Sequence, residues 1–438
     1  MSGPLPPPAM AENRNRRRVV VTGYGMITPL GPDAETTFGR AAQGHSGIDW
    51  ITAFDTRGLP CRIGGQVDDR WLPPDGAADR YGRLVSRGLR LLLAAAAEAA
   101  GRARFLEIAN RERIAVSVGS HGANPTVAEV LFLHRFSDGE GHWDVPGLLA
   151  AGGYDHHIFY RRKPDIAPTF LAERYRCGGP NVSVVSACAA SAQAIGEAVR
   201  YIREGRCDAA LAGGCEAALT FTGFVGFSLL KAMAEKYATP QAASRPFDRK
   251  RNGFVMSEGA GALVLEELEH ARARGAEVLG EVLGYGDSAD AYRITDTHPT
   301  GEGAALAMRR ALADAGLPPE AVEYINAHGT STTQNDIAET KAIKTVFGDR
   351  AKQVPVSSNK SMLGHTIGAA GAIEAILTLL GLREGVLLPT INHEFPDPKC
   401  DLDYVPNAAR RVPHRVALSN SFGFGGQNAC LCLGRCDG

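Results

Sequence analysis

The chain has 438 residues and a formal net charge of −1, long enough for two domains of roughly 100–200 residues and without the basic excess of a nucleic-acid-binding or polybasic membrane-surface protein. Its nine cysteines are scattered, odd in number and without paired metal spacing, which fits free thiols in a reducing compartment. The longest apolar helical run, Leu91 to Ala97, falls far short of the ~20 residues that span a bilayer. The N-terminal MSGPLPPPAMAENRNRRR lacks the apolar core of a signal peptide. Residues 1–15 are expected to be a disordered tail, and the protein cytoplasmic, with no membrane or nucleic-acid partner.

Arg18 to Thr22, RVVVT, reads as a buried strand, followed by GYGMITPLG. A dinucleotide fingerprint would need a third glycine where Thr28 stands, so we expect a glycine turn between strand and loop. Leu89 to Ala100 is expected to be a buried helix and Ile114 to Gly119 a strand. Gly122 to Pro168 reads as an irregular excursion, lining a tunnel or a dimer contact; its His134, His142, His156 and His157 lack zinc spacing. Val182, Val184 and Val185 read as a short buried strand, and Ser186-Ala187-Cys188 as a tight corner. From Ala189 the sequence is rich in small helix formers. Cys188 would then sit on a helix N-terminus, where free N–H groups and the helix dipole lower a thiol's pKa.

Strands are expected over Asp208 to Gly214 and Gly261 to Leu265. A second series begins near Glu277, with helices from about Glu302, Asp336 and Ile367. Strands are expected near Val322, Val354, Val416 and Ala429. The halves echo each other: VSVVSAC before a helix resembles VPVSSNKSMLGH before a helix, and DAALAGG resembles RVALSNSFGFGG. Strands alternating with helices point to α/β layering. Three polar or glycine-rich stretches follow predicted strands: NAHGTST (326–332), SNKSMLGHTIGAAG (358–371) and SNSFGFGG (419–426). Ligand groups collect at strand C-terminal ends in such folds, so His328 and His365 are candidates to meet Cys188.

Together with RPFD…GFVMSEGAG, these motifs closely resemble the β-ketoacyl-[acyl carrier protein] synthases of the elongating Cys-His-His type, in order and spacing, from about Arg18 to the C-terminus. The resemblance implies the thiolase fold: two similar βαβαβαββ halves, here 16–275 and 276–438, in a five-layered αβαβα arrangement. It implies decarboxylative condensation of an acyl-enzyme thioester with malonyl-[acyl carrier protein], with no cofactor beyond the carrier's phosphopantetheine. Cys188 matches the acyl-accepting nucleophile, His328 and His365 the donors that stabilise decarboxylation, and Lys360 the active-site lysine. The backbone N–H groups of Cys188 and Phe424 match the oxyanion hole, and Phe424 the gate, with Gly423, Gly425 and Gly426 giving mobility.

Thr330 and Thr332 belong to the same motif, and Asp290 resembles a residue of a second mobile loop. Asp336 and Glu339 either pair with Lys360 or form a helix N-terminal turn. Asn326, Glu374, Ser419 and Asn420 match a structural cation site of some members, or bond to one another without metal. The implied partners are acyl carrier protein and a second subunit, a copy of this chain or a chain-length-factor relative. Thr333-Gln334-Asn335 stands where the family commonly has proline, Gln427 where threonine is frequent, and the segment before Cys188 looks like specialised-metabolite members. A degradative thiolase would need a second cysteine such as Cys430 or Cys432 as base; a non-catalytic partner subunit would lack Cys188. The carrier is acidic in this family. Arg161-Arg162-Lys163 is therefore a candidate docking patch, a solvated loop or dimer contact being the alternative.

Overall fold

The computed structural model describes residues 16–73, 82–152, 156–294 and 296–436; the N-terminal tail lies outside them. Its centre is one ten-stranded sheet. We number the strands β1 (Val19–Ile27), β2 (Ile114–Gly119), β3 (Asn181–Val184), β4 (Ala209–Glu216), β5 (Gly259–Glu267), β6 (Gly280–Ala289), β7 (Tyr324–Asn326), β8 (Val356–Ser357), β9 (Val416–Phe422) and β10 (Gln427–Gly434). The five principal helices are α1 (Arg87–Arg102), α2 (Ala190–Arg203), α3 (Glu302–Ala315), α4 (Thr333–Phe347) and α5 (Ala370–Glu384).

The order across the sheet is β8-β7-β9-β10-β6-β1-β5-β4-β2-β3. Read outward from the middle, β1-β5-β4-β2-β3 and β6-β10-β9-β7-β8 have the same topology, strand for strand. The halves meet edge to edge at just two residue pairs, Val20–Glu281 and Val21–Gly280. Helices α2 and α5 lie between the halves, while α1 covers the outside of the first half and α3 that of the second. This is the five-layered thiolase arrangement.

Strand side chains alternate between layers. Ala210 and Ala212 of β4, with Ala429, Leu431 and Leu433 of β10, enter the middle core. Ala209 and Leu211 enter the first outer core, Cys430 and Cys432 the second. Helix α5 is buried all round from Ala370 to Leu382, as a helix with no polar face must be.

Several expectations change. The Gly23-Tyr24-Gly25 stretch is no turn: β1 runs through it to Ile27. A Cβ at Gly23 would lie 2.2 Å from the Ala99 carbonyl, and one at Gly25 2.3 Å from that of Ala95. The glycines therefore let α1 lie directly on the strand. Gly284 and Gly286 of β6 do the same for α3, with Cβ positions 2.2 Å from the carbonyls of Ala311 and Ala307.

The excursion after Gly122 is largely helical, with turns at Val127–His134, Val145–Ala150, His156–Arg161 and Ile166–Arg174. The first is opened by a reciprocal Thr126/Glu129 capping box, a signal that outweighs the segment's irregular composition. Strand β3 is half-exposed at the sheet edge, and Val185 is 57% exposed beyond its end; its valines face a surface rather than a core. All nine cysteines are free thiols. Among the described residues, no helix is long and apolar enough to cross a membrane.

Candidate active site

The two central helices begin alike. A 3-10 turn at Ala187–Ala189 leads into α2, and one at Ile367–Ala369 leads into α5. Each turn opens on a non-glycine residue in the left-handed region, Ala187 at φ 48° and Ile367 at φ 42°. Such corners are held only where the surroundings enforce them. Here α2 and α5 pack at close range: a Cβ on Gly371 would fall 2.7 Å from Ala192, and the Ala372 amide donates to Ser191 Oγ at 3.0 Å. The corners therefore bring Cys188 and His365 together, with 2.9 Å between Sγ and Nε2.

The amide of Ile367 donates to His365 Nδ1 at 3.3 Å. Nδ1 is thus the acceptor, and Nε2 carries the hydrogen toward sulfur. His328 stands edge-on to His365, ring centroids 5.3 Å apart. Its loop is held by Glu339, which accepts from the amides of His328 at 2.8 Å and Gly329 at 2.7 Å. Burial and the nearby Lys360 charge push both histidines well below the usual imidazole range, so both are neutral donors at pH 7.

Burial pushes the Cys188 thiol up to about 11; the Phe424 backbone N–H and the Lys360 charge act in the opposite direction. The sequence-based expectation of a lowered pKa is therefore overturned: Cys188 is only 2% exposed, and desolvation of the thiolate dominates. A raised pKa makes the thiolate a minor species at neutral pH, growing tenfold per pH unit. Alkylation of Cys188 by iodoacetamide should keep rising up to about pH 10. A plateau below pH 8 would contradict this.

Lys360 is ion-paired with Glu374, not with Asp336 or Glu339. Asp336 instead accepts from the Phe247 amide at 2.8 Å and faces Arg251 at 3.5 Å. Its helix starts at Thr333, earlier than its apolar pattern marks. The RPFD…GFVMSEGAG stretch serves as a clamp. The amide of His365 donates to Val255 O at 2.7 Å, that of Gly253 to Ser331 O at 3.1 Å, and that of Arg245 to Ser331 Oγ at 3.0 Å. The part played by Glu339 and this clamp is not visible in the sequence, because most of their bonds go to backbone atoms that carry no residue-type signal.

Asn326 and Asn420 spend their amide nitrogens on Glu374 O and Glu339 Oε1, at 3.1 and 3.2 Å. Asn326 Oδ1, Glu374 Oε2, Ser419 Oγ and Asn420 Oδ1 are buried without a hydrogen-bond partner among the described residues.

Cys188, His328 and His365 line a cavity of about 370 Å³ with Thr330, Thr332 and Phe424. The two threonine hydroxyls are 2.9 Å apart. Phe424 is half-exposed, and Gly425 and Gly426 take φ 94° and 78°. Gly423 fits against Ser186 O, 2.9 Å from where a Cβ would lie, and the Asp290 amide donates to Gly426 O at 2.9 Å. The two loops singled out in the sequence thus touch. Lys231 borders the same cavity. The Arg161–Lys163 cluster does not: Arg161 and Arg162 pair with Glu129 at 3.0 and 2.7 Å, and Lys163 with Asp165 at 3.3 Å. Cys430 and Cys432 are buried in the second outer core, away from the cavity lining. No second cysteine therefore reaches the site, as a thiolase would require.

Family models for the beta-ketoacyl synthase N-terminal and C-terminal domains match residues 16–271 and 279–394. This chain belongs to the β-ketoacyl synthase family. Among curated β-ketoacyl synthases, it is 42% identical to the 3-oxoacyl-[acyl-carrier-protein] synthase 2 of Synechocystis sp., over 96% of this chain and 99% of that one. It is 40% identical to the enzyme of the same name from Coxiella burnetii, over 96% and 99%. A type II polyketide-synthase ketosynthase, solved with its acyl carrier protein and bound to the hexaketide, superposes with a TM-score of 0.85 at 34% identity, covering 97% of this chain and all of that one. The ishigamide ketosynthase/chain length factor superposes at 0.82 and 36%, covering 96% and 100%. These β-ketoacyl synthase relatives include both 3-oxoacyl-[acyl-carrier-protein] synthases and a type II polyketide-synthase ketosynthase.

Proposed function

We propose that this β-ketoacyl synthase joins an acyl group held on Cys188 to malonyl-[acyl carrier protein], releasing carbon dioxide and giving β-ketoacyl-[acyl carrier protein] in fatty acid or polyketide synthesis. The observation that carries this is the meeting of Cys188 Sγ, His365 Nε2 and the His328 ring in the wall of one cavity. The sulfur attacks the incoming thioester carbonyl, the bond to the carrier's sulfur breaks, and the thiol proton of Cys188 leaves with the carrier thiol. Sulfur suits this exchange as both nucleophile and leaving group.

Malonyl thioester then loses carbon dioxide, and the electrons of the broken C–C bond become an enolate. The neutral N–H donors of His328 and His365 hydrogen-bond its oxygen. The enolate carbon attacks the acyl-Cys188 carbonyl, whose oxygen is received by the backbone N–H groups of Cys188 and Phe424. The attack forms the new C–C bond; collapse of the tetrahedral intermediate re-forms the carbonyl and breaks the C–S bond, and the released Cys188 thiolate takes up a proton from water. The thioester itself delocalises the charge, so no redox cofactor or metal takes part. Lys360, charge-paired to Glu374, adds positive potential beside the donors.

Phe424 and its glycines, with the Asp290 loop against them, gate the cavity, and Thr330 and Thr332 line the path of the phosphopantetheine arm. The exposed Lys231 on the rim meets the acidic carrier. Asn326, Glu374, Ser419 and Asn420 present only oxygens, the chemistry of a hard cation; they would hold one in a structural role, Glu339 and Lys360 fixing two of the four. The second subunit is of the same fold, this chain or a chain-length factor. The supporting features are the open edge of β3, which leads into exposed Val185, and the exposed Leu131, Leu149 and Phe159 of the preceding excursion. An unpaired strand edge with apolar neighbours is a surface that proteins cover.

Intact-protein mass spectrometry after incubation with acyl-[acyl carrier protein] tests the reading. An acyl adduct should appear on the wild type and be lost in Cys188→Ala. An adduct that maps to Cys215 or Cys430 would overturn it.

A further inference from the structure

A second ionic pair stands against the corner that carries His365, and neither of its residues lines the cavity. His121 follows β2 and Glu216 ends β4, two neighbouring strands of the first half. His121 Nδ1 and Glu216 Oε2 are 2.7 Å apart. Glu216 is buried, and His121 is about one-third exposed. Both press on Gly368, in the 3-10 turn that starts α5. A Cβ there would fall 3.0 Å from Glu216 Oε2 and 3.1 Å from His121 Nδ1, and the Gly368 amide points at Glu216 Oε2 at 3.4 Å. Gly368 lies three residues after His365, so the pair abuts the corner that aims His365 at the sulfur.

We propose that Glu216 and His121 act as a positioning pair: Glu216 braces the His365 corner through Gly368, and the His121 cation cancels the carboxylate's charge so that it does not oppose the Cys188 thiolate. This rests on Cys188 being the nucleophile. The carboxylate is needed at that spot to receive the amide, yet a bare negative charge behind the sulfur disfavours thiolate. Burial lowers the His121 pKa, but its bond to Glu216 and that charge outweigh burial, and the imidazole holds its proton more tightly than usual. Among the groups around Cys188, Lys360 and Glu374 are already paired to each other, and His328 and His365 are neutral. Around Glu216, Arg161 and Lys163 border the same recess but are paired with Glu129 and Asp165. His121 is thus the counter-charge in direct contact with the Glu216 carboxylate.

The test is the rate of Cys188 carbamidomethylation by iodoacetamide at pH 6.5, where an imidazole that holds its proton more tightly than usual is mostly charged, read by peptide mapping on the full chain. It reports the thiolate directly and does not depend on carrier or acyl substrate, so its outcome is separate from that of the acyl-adduct experiment. His121→Gln should slow the reaction about 3- to 10-fold, and Glu216→Gln should speed it by a similar factor, as expected for one charge at close range in a partly screened site. The double variant should return to within about twofold of wild type, and His121→Lys, which keeps the cation, should stay near wild type. Merely structural roles would move both single variants in the same direction. That result, or no change in either, would overturn the proposal. Should Glu216→Gln fail to fold, the contrast between His121→Gln and His121→Lys decides alone: equal rates overturn it.

Discussion

His328→Ala should lose about 10²–10³-fold in carbon dioxide release from malonyl-[acyl carrier protein], the usual cost of one oxyanion donor, while keeping most of its self-acylation. His365→Ala should lose both. The difference follows from where each ring sits. His365 Nε2 touches the sulfur at 2.9 Å, so it serves the thiolate in the first half-reaction and the enolate in the second. His328 meets His365 edge-on and makes no hydrogen bond to the sulfur, so its donor has work only when malonyl thioester arrives. Acyl-enzyme formation by mass and carbon dioxide release by coupled assay separate the steps. Equal loss of acylation in the two variants would contradict this division.

Breaking the Lys360–Glu374 pair should have the largest effect on stability. Both side chains are nearly inaccessible, at 2% and 3%. Removing one partner strands the other's charge, typically at a cost of 3–5 kcal/mol. Glu374→Ala should pay this in full, because a buried ammonium without its carboxylate has no remedy near neutral pH but to lose its proton. Lys360→Met should be milder in acid. Burial already pushes Glu374 up to about 7 in the presence of Lys360, so its carboxyl binds a proton more tightly folded than unfolded. Stability contributed by that group therefore falls as pH rises from about 4.5 toward 7. Without the lysine the window extends upward, and the Tm of Lys360→Met should drop more between pH 6 and pH 8 than that of the wild type. Parallel Tm curves would overturn this.

Much of this arrangement is legible in the residues themselves. Helix α3 begins and ends where its pattern and the closing Gly316 place it, because Gly316 takes the left-handed cap that stops a helix. Ile114–Gly119 is found as expected, an apolar run with nothing to compete with it. The echo between SVVSAC and VSSNKSMLGH corresponds to matched strands and matched helix starts. Two kinds of information are not written locally. Glycines at 23 and 25 look like turn residues until the crossing helix that needs them is in place; only the repetition of Gly-Tyr-Gly in the strand at 284–286 hints otherwise. Charge partners across the fold are equally silent: Lys360 meets Glu374 rather than Asp336, and Glu216 meets His121, because sheet order decides which loop ends are neighbours. The ionisation of Cys188 is hidden for the same reason. A helix start is visible in sequence, whereas the depth at which it is buried is not.

The matched corners at Ala187 and Ile367 have an evolutionary consequence. A half-length ancestor pairing with a copy of itself would present the same residues at both corners, whereas here the turn position that holds Cys188 in one half holds Gly368 in the other, and His365 stands where Val185 does. Joining the halves in one gene frees the corners to diverge, so that one carries sulfur and the other imidazole. Chemical asymmetry at the centre of this molecule therefore lies in which side chains the two halves carry at their corners, while the order of strands stays the same.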